Sequence, residues 1–293
     1  MDGQMREEKN RIVWKGAVDF ELTHIFECGQ CFRWNREADG SYIGVAKGRV
    51  LHIEKKGDCV IFHNTHREEF DHIWREYFDL DRDYGKIKET LCKNDPIMAK
   101  AVEKGHGIRI LKQDPWETLI SFILSSNRAI PLIKKSIEAL CEKYGQPLGE
   151  YREKKYYAFP EPEVLWKKSI EEIQACKTGY RAKYIAGAAA MVGEKQTDIY
   201  QLQYDDRETA RKELMKISGV GPKVADCILL FSMGKFDAFP VDVWVKRVME
   251  YFYLPEETAP KDIQHFAQKR FESYAGFAQQ YLFYYARNLG IGK

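Results

Sequence analysis

Long apolar segments are missing from this chain of 293 residues. No uninterrupted apolar run reaches the roughly 18 residues that a membrane-spanning helix requires, so we expect no membrane partner. The N-terminal residues mix acidic and basic side chains without an apolar core, which excludes the pattern of a secretory signal peptide. The sequence therefore predicts an intracellular protein, located in the cytoplasm or nucleoid, or in the nucleus of a eukaryote.

Cysteine is absent from the C-terminal part of the chain: the seven cysteines are scattered, and none follows Cys227. An odd number of dispersed thiols is typical of a reducing compartment and not of a disulfide framework. Cys28 and Cys31 form a C-x-x-C pair. Because no second pair and no thioredoxin-like strand–helix context accompany it, this pair does not predict a zinc or redox site. We expect no metal site.

An excess of charge of one sign is also missing. The chain has 46 Lys and Arg against 44 Asp and Glu, a net charge of +2. This balance does not by itself predict a nucleic-acid partner. After residue 100, basic residues outnumber acidic ones by 29 to 25, which is compatible with binding to DNA.

Short alternating segments in the first 65 residues predict an antiparallel sheet. Four strands are expected, over residues 31–35, 41–46, 49–54 and 59–63, with turn-forming residues between them. Thr65 and Glu68 have the spacing of a capping box. The apolar residues that follow predict a helix that packs on the sheet.

From about Asp114 onward the pattern becomes helical. Asp114, Ser169 and Asp206 are expected helix N-caps, with Glu172 completing a capping box. The polar, proline-flanked residues 146–161 are expected to form a loop. The predicted fold class is α+β: an N-terminal antiparallel β-sheet domain with helices over residues 9–105, then a mostly α-helical domain over 106–293.

The stretch around the turn Ser218–Gly221 contains the strongest functional signal. Its two glycines allow a positive φ and a close backbone approach to a ligand. Pro222 suits a first helical position, so the turn presents N–H groups at a helix N-terminus, where a phosphate can bind. Lys223 follows in the first helical turn, and Cys227 lies one turn later on the same face.

Lys223 and Asp242 each have two interpretations. An ordinary lysine here would contact a phosphate; next to apolar Val224 and Cys227, at the positive end of a helix, it could instead act as a neutral amine nucleophile. Asp242 precedes an amphipathic helix and is an expected N-cap. A carboxylate beside a sugar could also stabilise an oxocarbenium-like transition state.

These residues resemble a known family. Residues 217–223, ISGVGPK, followed by Pro240-Val241-Asp242 with the lysine 19 positions before the aspartate, resemble the helix-hairpin-helix and Gly/Pro-Asp signature of DNA glycosylases. Residues 27–34, ECGQCFRW, are similar to a segment of the 8-oxoguanine DNA glycosylases. Residues 125–127, 179–182 and 278–283 also match that family, in the same order.

The resemblance implies a bifunctional N-glycosylase and lyase that acts on duplex DNA containing 8-oxoguanine. It implies that Lys223 displaces the extruded base, forms a Schiff base with the sugar and nicks the strand by β-elimination, assisted by Asp242. It implies no redox cofactor and no catalytic metal, and we expect a monomer. Some related glycosylases hold an iron–sulfur cluster near the C-terminus, which is excluded here because no cysteine follows Cys227.

The resemblance also assigns binding residues. Those expected to surround the extruded base are Gly29, Cys227, Gln279 and Phe283, where Gly29 accepts the N7–H that distinguishes 8-oxoguanine and Gln279 reads the Watson–Crick edge. Those expected to contact the rest of the DNA are Asn127, Tyr180, Arg181, Gly219, Val220, Gly221 and Trp244.

Two positions depart from the family pattern, and two other functions remain open. Leu132 stands where the family usually has an arginine that reads the orphaned cytosine, and Trp244 stands where it often has a histidine. The chain could instead act on another lesion, an oxidised pyrimidine or an alkylated purine. It could also be a non-catalytic hairpin module that only binds DNA.

Overall fold

The computed structural model describes residues 4–254 and 257–290. Residues 255–256 and 291–293 belong to the predicted helical domain, and that part of the prediction lies outside the described residues. A sheet formed by the N-terminal part packs against a larger helical body.

The main sheet has six antiparallel strands in the order β1-β2-β6-β5-β4-β3. Their bounds are β1 Gln4–Glu8, β2 Arg11–Lys15, β3 Trp34–Arg36, β4 Tyr42–Ala46, β5 Arg49–Lys56 and β6 Cys59–His63. The predicted meander of four strands is confirmed as β3 to β6, although its first strand begins at Trp34 and not at residue 31. The hairpin formed by β1 and β2 extends the sheet beyond β6 and was not among the predicted strands.

Aromatic side chains pack against one face of the sheet. Helix α1 (Leu22–Phe26) brings Phe26 onto Trp34 in a stacked contact, with ring centroids 4.3 Å apart. The predicted helix after the sheet consists of α2 (Arg67–Glu69), one π turn (Phe70–Trp74) and α3 (Arg75–Tyr77). Its buried side supplies Phe70, Trp74 and Tyr77 to the same core.

The predicted capping box at Thr65 and Glu68 is wrong. His66 is the N-cap residue and makes no side-chain cap bond. Thr65 Oγ1 donates instead to Glu69 Oε1 at 3.0 Å. Glu69 Oε1 also accepts from the indole of Trp74. The threonine hydroxyl therefore joins a buried side-chain network in preference to the backbone amides of the first turn.

The helical body is formed by α4 (Tyr84–Cys92), α5 (Pro96–Lys104), α6 (Pro115–Ser125), α7 (Ile130–Tyr144), α8 (Pro162–Trp166), α9 (Ile170–Ile173), α10 (Ala182–Gly193), α11 (Arg207–Leu214), α12 (Pro222–Ser232), α13 (Val243–Phe252), α14 (Pro260–Phe271) and α15 (Ala275–Leu289). The predicted N-caps at Asp114, Asp206 and Asp242 each accept a backbone N–H three residues on. Ser169 and Glu172 form the predicted capping box. These side chains set where the helices begin.

The loop predicted over residues 146–161 is wrong in its middle part, which forms a second hairpin of β7 (Pro147–Tyr151) and β8 (Lys154–Tyr157). Tyr156 packs with Ile43, Val45 and Val50 on the outer face of the main sheet. The hairpin is polar and mostly exposed, so its strand pattern is weak in the sequence. It is stabilised by the sheet surface that it covers.

The helical body includes residues from both sides of the predicted domain boundary at 105. Tyr84, Ile87, Leu91 and Met98, from α4 and α5, lie in the same hydrophobic core as α12 and α15. The boundary itself stays a prediction. None of the described helices has both the length and the apolar character to span a membrane.

Candidate active site

Lys223 is the second residue of α12, whose N-cap is Gly221 and whose first residue is Pro222. Its Nζ lies 3.5 Å from Ser125 Oγ and 5.0 Å from the centroid of the Phe122 ring. Ser125 Oγ donates its own proton to the Phe122 carbonyl at 2.8 Å. The serine therefore offers a lone pair to the amine, and the lysine side chain is held between a hydroxyl and an aromatic face.

Asp242 is the second candidate catalytic residue. It is the N-cap of α13, and its Oδ1 accepts from the backbone N–H of Val245 at 2.8 Å. The cap fixes the carboxylate in one place, as the sequence predicted. Asp242 and Lys223 line the same two clefts, an inner pocket and an outer groove that opens beside it.

The floor of the inner pocket is apolar. Cys227 lies one turn after Lys223 and is buried. Burial raises the pKa of the Cys227 thiol to about 12, although Lys223 acts in the opposite direction. The thiol is therefore neutral near pH 7. Phe122 and Phe231 stack behind it, with ring centroids 5.5 Å apart.

Gly29 and Phe283 form the opposite wall. Gly29 has φ +82°, and a Cβ added to it would lie 3.1 Å from Phe283 Cε1. The positive φ therefore favours glycine, and a larger residue would crowd the ring beside it. The guanidinium of Arg287, which donates to the Glu27 carbonyl at 3.0 Å, lies 5.6 Å from the centroid of the Phe283 ring.

Two adjacent glutamines of α15 line the pocket. Gln279 and Gln280 are both buried, and Gln280 Nε2 donates to Gln279 Oε1 at 2.7 Å. Gln280 Oε1 is buried and has no hydrogen-bond partner among the described residues. The pocket thus combines apolar walls with a small number of oriented polar groups, the usual composition of a site for a small planar ligand.

The hairpin turn before α12 has the positive φ that the sequence predicts, but one of its amides is already hydrogen-bonded within the turn. Gly219 has φ +82°, and a Cβ there would lie 2.7 Å from Tyr184 Cβ. Val220 is buried, and its N–H donates to the Ile217 carbonyl at 3.1 Å. The Val220 amide is therefore engaged within the turn. The amides of Gly219 and Gly221 form no backbone bond within the described part of the chain.

The residues expected to contact the partner strand lie on two loops that hold each other. Arg181 is buried, and its Nε donates to the Ser126 carbonyl at 3.1 Å and its Nη2 to the Asn127 carbonyl at 3.2 Å. In return, Arg128 Nη2 donates to the Lys177 carbonyl at 2.6 Å. This reciprocal pair of arginines joins the loop after α6 to the loop before α10.

Asn127 and Tyr180 project from this pair of loops. Asn127 is exposed, with φ +49°. Tyr180 is 58% exposed, and the Arg181 guanidinium lies 4.4 Å from its ring centroid. Trp244 lines the outer groove together with Asn127. Leu132, near the start of α7, is 48% exposed.

Several residues of the site were not identified from the sequence. Phe122, Phe231 and Cys28 line the pocket, but each is indistinguishable from a core residue in the sequence. Arg128 follows the matched segment Ser125–Asn127 directly, and Gln280 follows Gln279. For Arg128 and Gln280, the only indication of a role in the site was the position next to a residue that the sequence analysis had recognised. No three His, Cys, Asp or Glu side chains of the described chain lie together as a metal site.

Family models match nearly the whole described chain. Residues 12–119 match the N-terminal domain of 8-oxoguanine DNA glycosylase. Residues 120–273 match the HhH-GPD superfamily of base excision DNA repair proteins. Their boundary falls within α6, so that helix carries residues of both matches.

Individual relatives agree with these models. The chain is 30% identical to a probable N-glycosylase/DNA lyase of Methanothermobacter thermautotrophicus, over 93% of this chain and 95% of the relative. It is similar to the solved structure of MBOgg1 with a low affinity DNA ligand, at 50% identity and a TM-score of 0.96, covering 99% of this chain and 100% of that one.

A second solved structure is that of the 8-oxoguanine glycosylase/lyase of Clostridium acetobutylicum with double-stranded DNA containing cytosine opposite 8-oxoguanine. The chain is 46% identical to it, with a TM-score of 0.96, covering 99% of this chain and 100% of that one.

Proposed function

Since the chain belongs to the 8-oxoguanine DNA glycosylase family of the HhH-GPD superfamily, we infer that it is a bifunctional N-glycosylase and DNA lyase that removes 8-oxoguanine from duplex DNA. The observation that carries this function is one pocket. It is lined by Lys223 and Asp242 and by the proposed base-binding residues Gly29, Cys227, Gln279 and Phe283.

The damaged nucleotide leaves the duplex before it reacts, because its glycosidic bond is inaccessible within the base stack. The base enters between Cys227 and Phe283. The Gly29 carbonyl accepts the N7–H that guanine lacks, and Gln279 pairs with the Watson–Crick edge. Entry requires Phe283 to move, since its ring now lies against Gly29.

Lys223 carries the covalent step. Its Nζ forms a bond to C1′ of the sugar while the glycosidic bond breaks, and the departing base takes up a proton. The sugar ring then opens: the C1′–O4′ bond breaks, O4′ takes up a proton from solvent, and the iminium ion that forms between C1′ and Nζ makes the C2′ protons acidic. Loss of one of them breaks the C3′–O bond and nicks the strand. Ser125 holds the amine toward the pocket through its lone pair, and the Asp242 carboxylate stabilises the positive charge that develops on the sugar.

The outer groove and the hairpin bind the remainder of the DNA. Gly219 and Gly221 offer amides to a phosphate at the N-terminus of α12, and Trp244 lies beside the neighbouring backbone. Asn127 and Tyr180 reach the partner strand and the gap left by the base. In its present position Arg181 fixes the loop that carries Asn127. It would have to release the carbonyls of Ser126 and Asn127 to contact the orphaned base itself. We expect the enzyme to act as an intracellular monomer.

Borohydride trapping tests this function. A duplex with one 8-oxoguanine opposite cytosine should give a covalent protein–DNA adduct and a nicked strand, and an undamaged duplex should give neither. Trapping on an oxidised pyrimidine, or release of an alkylated purine, without reaction at 8-oxoguanine would assign the site to another lesion. Binding without any reaction would contradict the proposed chemistry.

A further inference from the structure

Gln280 has an acceptor for which the described chain offers no partner. The side chain is 2% exposed and lines the inner pocket, and its Oε1 is buried without a hydrogen bond. A buried unpaired carbonyl oxygen is unfavourable, and such groups are rare in folded proteins. Since the atom belongs to a pocket residue, its partner would be supplied by whatever fills the pocket.

Gln279 cannot satisfy a guanine-type base alone. The Watson–Crick edge of such a base presents three neighbouring groups: the O6 acceptor, the N1–H donor and the exocyclic amine at C2. The carbonyl oxygen of an amide has two lone pairs, so a glutamine with no other partner could accept from both N–H groups. Gln279 Oε1 already accepts from Gln280 Nε2, which leaves one lone pair for N1–H. The exocyclic amine then needs a second acceptor.

We propose that Gln280 is a second base-reading residue, whose Oε1 accepts an N–H of the exocyclic amine of the extruded 8-oxoguanine. Its amide nitrogen at the same time holds Gln279 in a fixed orientation. This inference rests on the proposed function, in which the base enters this pocket. It makes the C2 amine a requirement for efficient excision.

The matching test substrate is 8-oxohypoxanthine, which keeps the 8-oxo group and N7–H but lacks the C2 amine. With this base Gln280 Oε1 stays unpaired. The parent enzyme should therefore excise 8-oxoguanine roughly 10–100-fold faster than 8-oxohypoxanthine, from the cost of one unpaired buried group. Both lesions are placed opposite cytosine and measured under single-turnover conditions.

Gln280→Leu removes both polar atoms at nearly constant volume. In this variant the excision rates of 8-oxoguanine and 8-oxohypoxanthine should differ by no more than about threefold, mainly because 8-oxoguanine is excised more slowly. Tyr281→Phe is the matched control. The hydroxyl of Tyr281, also on α15, is buried with no hydrogen-bond partner in the described part of the chain, but this residue does not line the pocket. Tyr281→Phe should keep the parent ratio.

Cleavage at a preformed abasic site needs no base in the pocket. It therefore distinguishes a variant that no longer recognises the base from a variant that no longer folds. Gln280→Leu should lose far less of this cleavage than of 8-oxoguanine excision. A parent ratio near one, or a parent-like ratio in Gln280→Leu, would overturn the assignment of Gln280. A parent enzyme that cleaves abasic sites but leaves 8-oxoguanine in place would overturn the proposed function and this assignment together.

Discussion

Gly29, in the loop between α1 and β3, and Phe283, on the last helix, lie side by side in one wall of the inner pocket. A Cβ on Gly29 would come within 3.1 Å of Phe283 Cε1. This contact joins the N-terminal part of the chain to the helical body in the lining of the pocket. The substitutions below test the roles of individual residues in base excision, strand nicking and stability.

Gly29→Ala should impair base excision far more than it impairs folding. The added methyl group is strained at φ +82° and occupies the space that the Phe283 ring or the base needs. Gly40→Ala is the control, since Gly40 has φ +85° and no atom within 4 Å of an added Cβ. Both variants should lose about 1 kcal/mol of unfolding free energy from backbone strain. Only Gly29→Ala should lose excision, and equal excision rates in the two variants would contradict the pocket assignment.

Lys223→Gln should abolish borohydride trapping and strand nicking while binding to damaged duplex is retained, because glutamine cannot form an imine. Lys216→Gln is the control: Lys216 precedes the hairpin, is exposed and pairs with Glu213 at 2.6 Å. Gel-based trapping and binding titrations measure the two properties separately. A stable adduct at the parent rate in Lys223→Gln would assign the nucleophile to another residue.

Asp242→Asn should slow base release by ~10² or more, the scale for loss of a preorganised charge next to the reacting sugar. Asparagine caps a helix nearly as well as aspartate, so the stability cost should be below about 1 kcal/mol. Asp206→Asn alters an equivalent cap, which accepts from Thr209 N at 3.0 Å on an exposed surface. If both variants release the base at the parent rate in single-turnover assays, Asp242 is only a cap.

Leu132→Arg should widen the preference for cytosine over adenine opposite the lesion. Arginine can donate to O2 and N3 of an orphaned cytosine, and each unpaired edge group costs roughly 1–3 kcal/mol. Ile170→Arg, at another exposed apolar helix position, controls for the added charge. Excision rates opposite all four bases provide the test. An unchanged preference in Leu132→Arg would show that this side chain does not face the partner strand.

Glu117→Gln should flatten the dependence of stability on pH. Burial raises the pKa of the Glu117 carboxyl from 4.5 to about 7, although Arg33 acts in the opposite direction. Between these values the folded protein keeps a proton that the unfolded chain has released, so the free energy of unfolding falls as pH rises from about 4.5 to 7. The loss should be on the order of 3 kcal/mol.

Urea unfolding at pH 5 and pH 8 measures this effect. The exposed Glu142→Gln on α7 should retain the pH dependence of the parent. Identical pH dependence in the parent and in Glu117→Gln would show that this carboxyl does not remain protonated in the folded state.

The amino-acid sequence by itself determined the local elements of the site. The helix starts at Pro222 and after Asp242, the positive φ at Gly219 and the shared face of Lys223 and Cys227 all follow from capping, glycine and helical-spacing rules. These rules act within a few residues, so one sequence was enough to predict them. The family resemblance then indicated which distant segments belong to one site.

Tertiary structure alone decided how those segments meet. Periodicity carries no information about contacts between distant segments, so it did not reveal Gly29 against Phe283, Ser125 beside Lys223 or the reciprocal bonds of Arg128 and Arg181. The β7–β8 hairpin was missed because its stability comes from the sheet beneath it. The sequence did not indicate that Gln280 Oε1 would be buried without a partner among the described residues. Burial depends on packing between distant segments, which local rules do not specify.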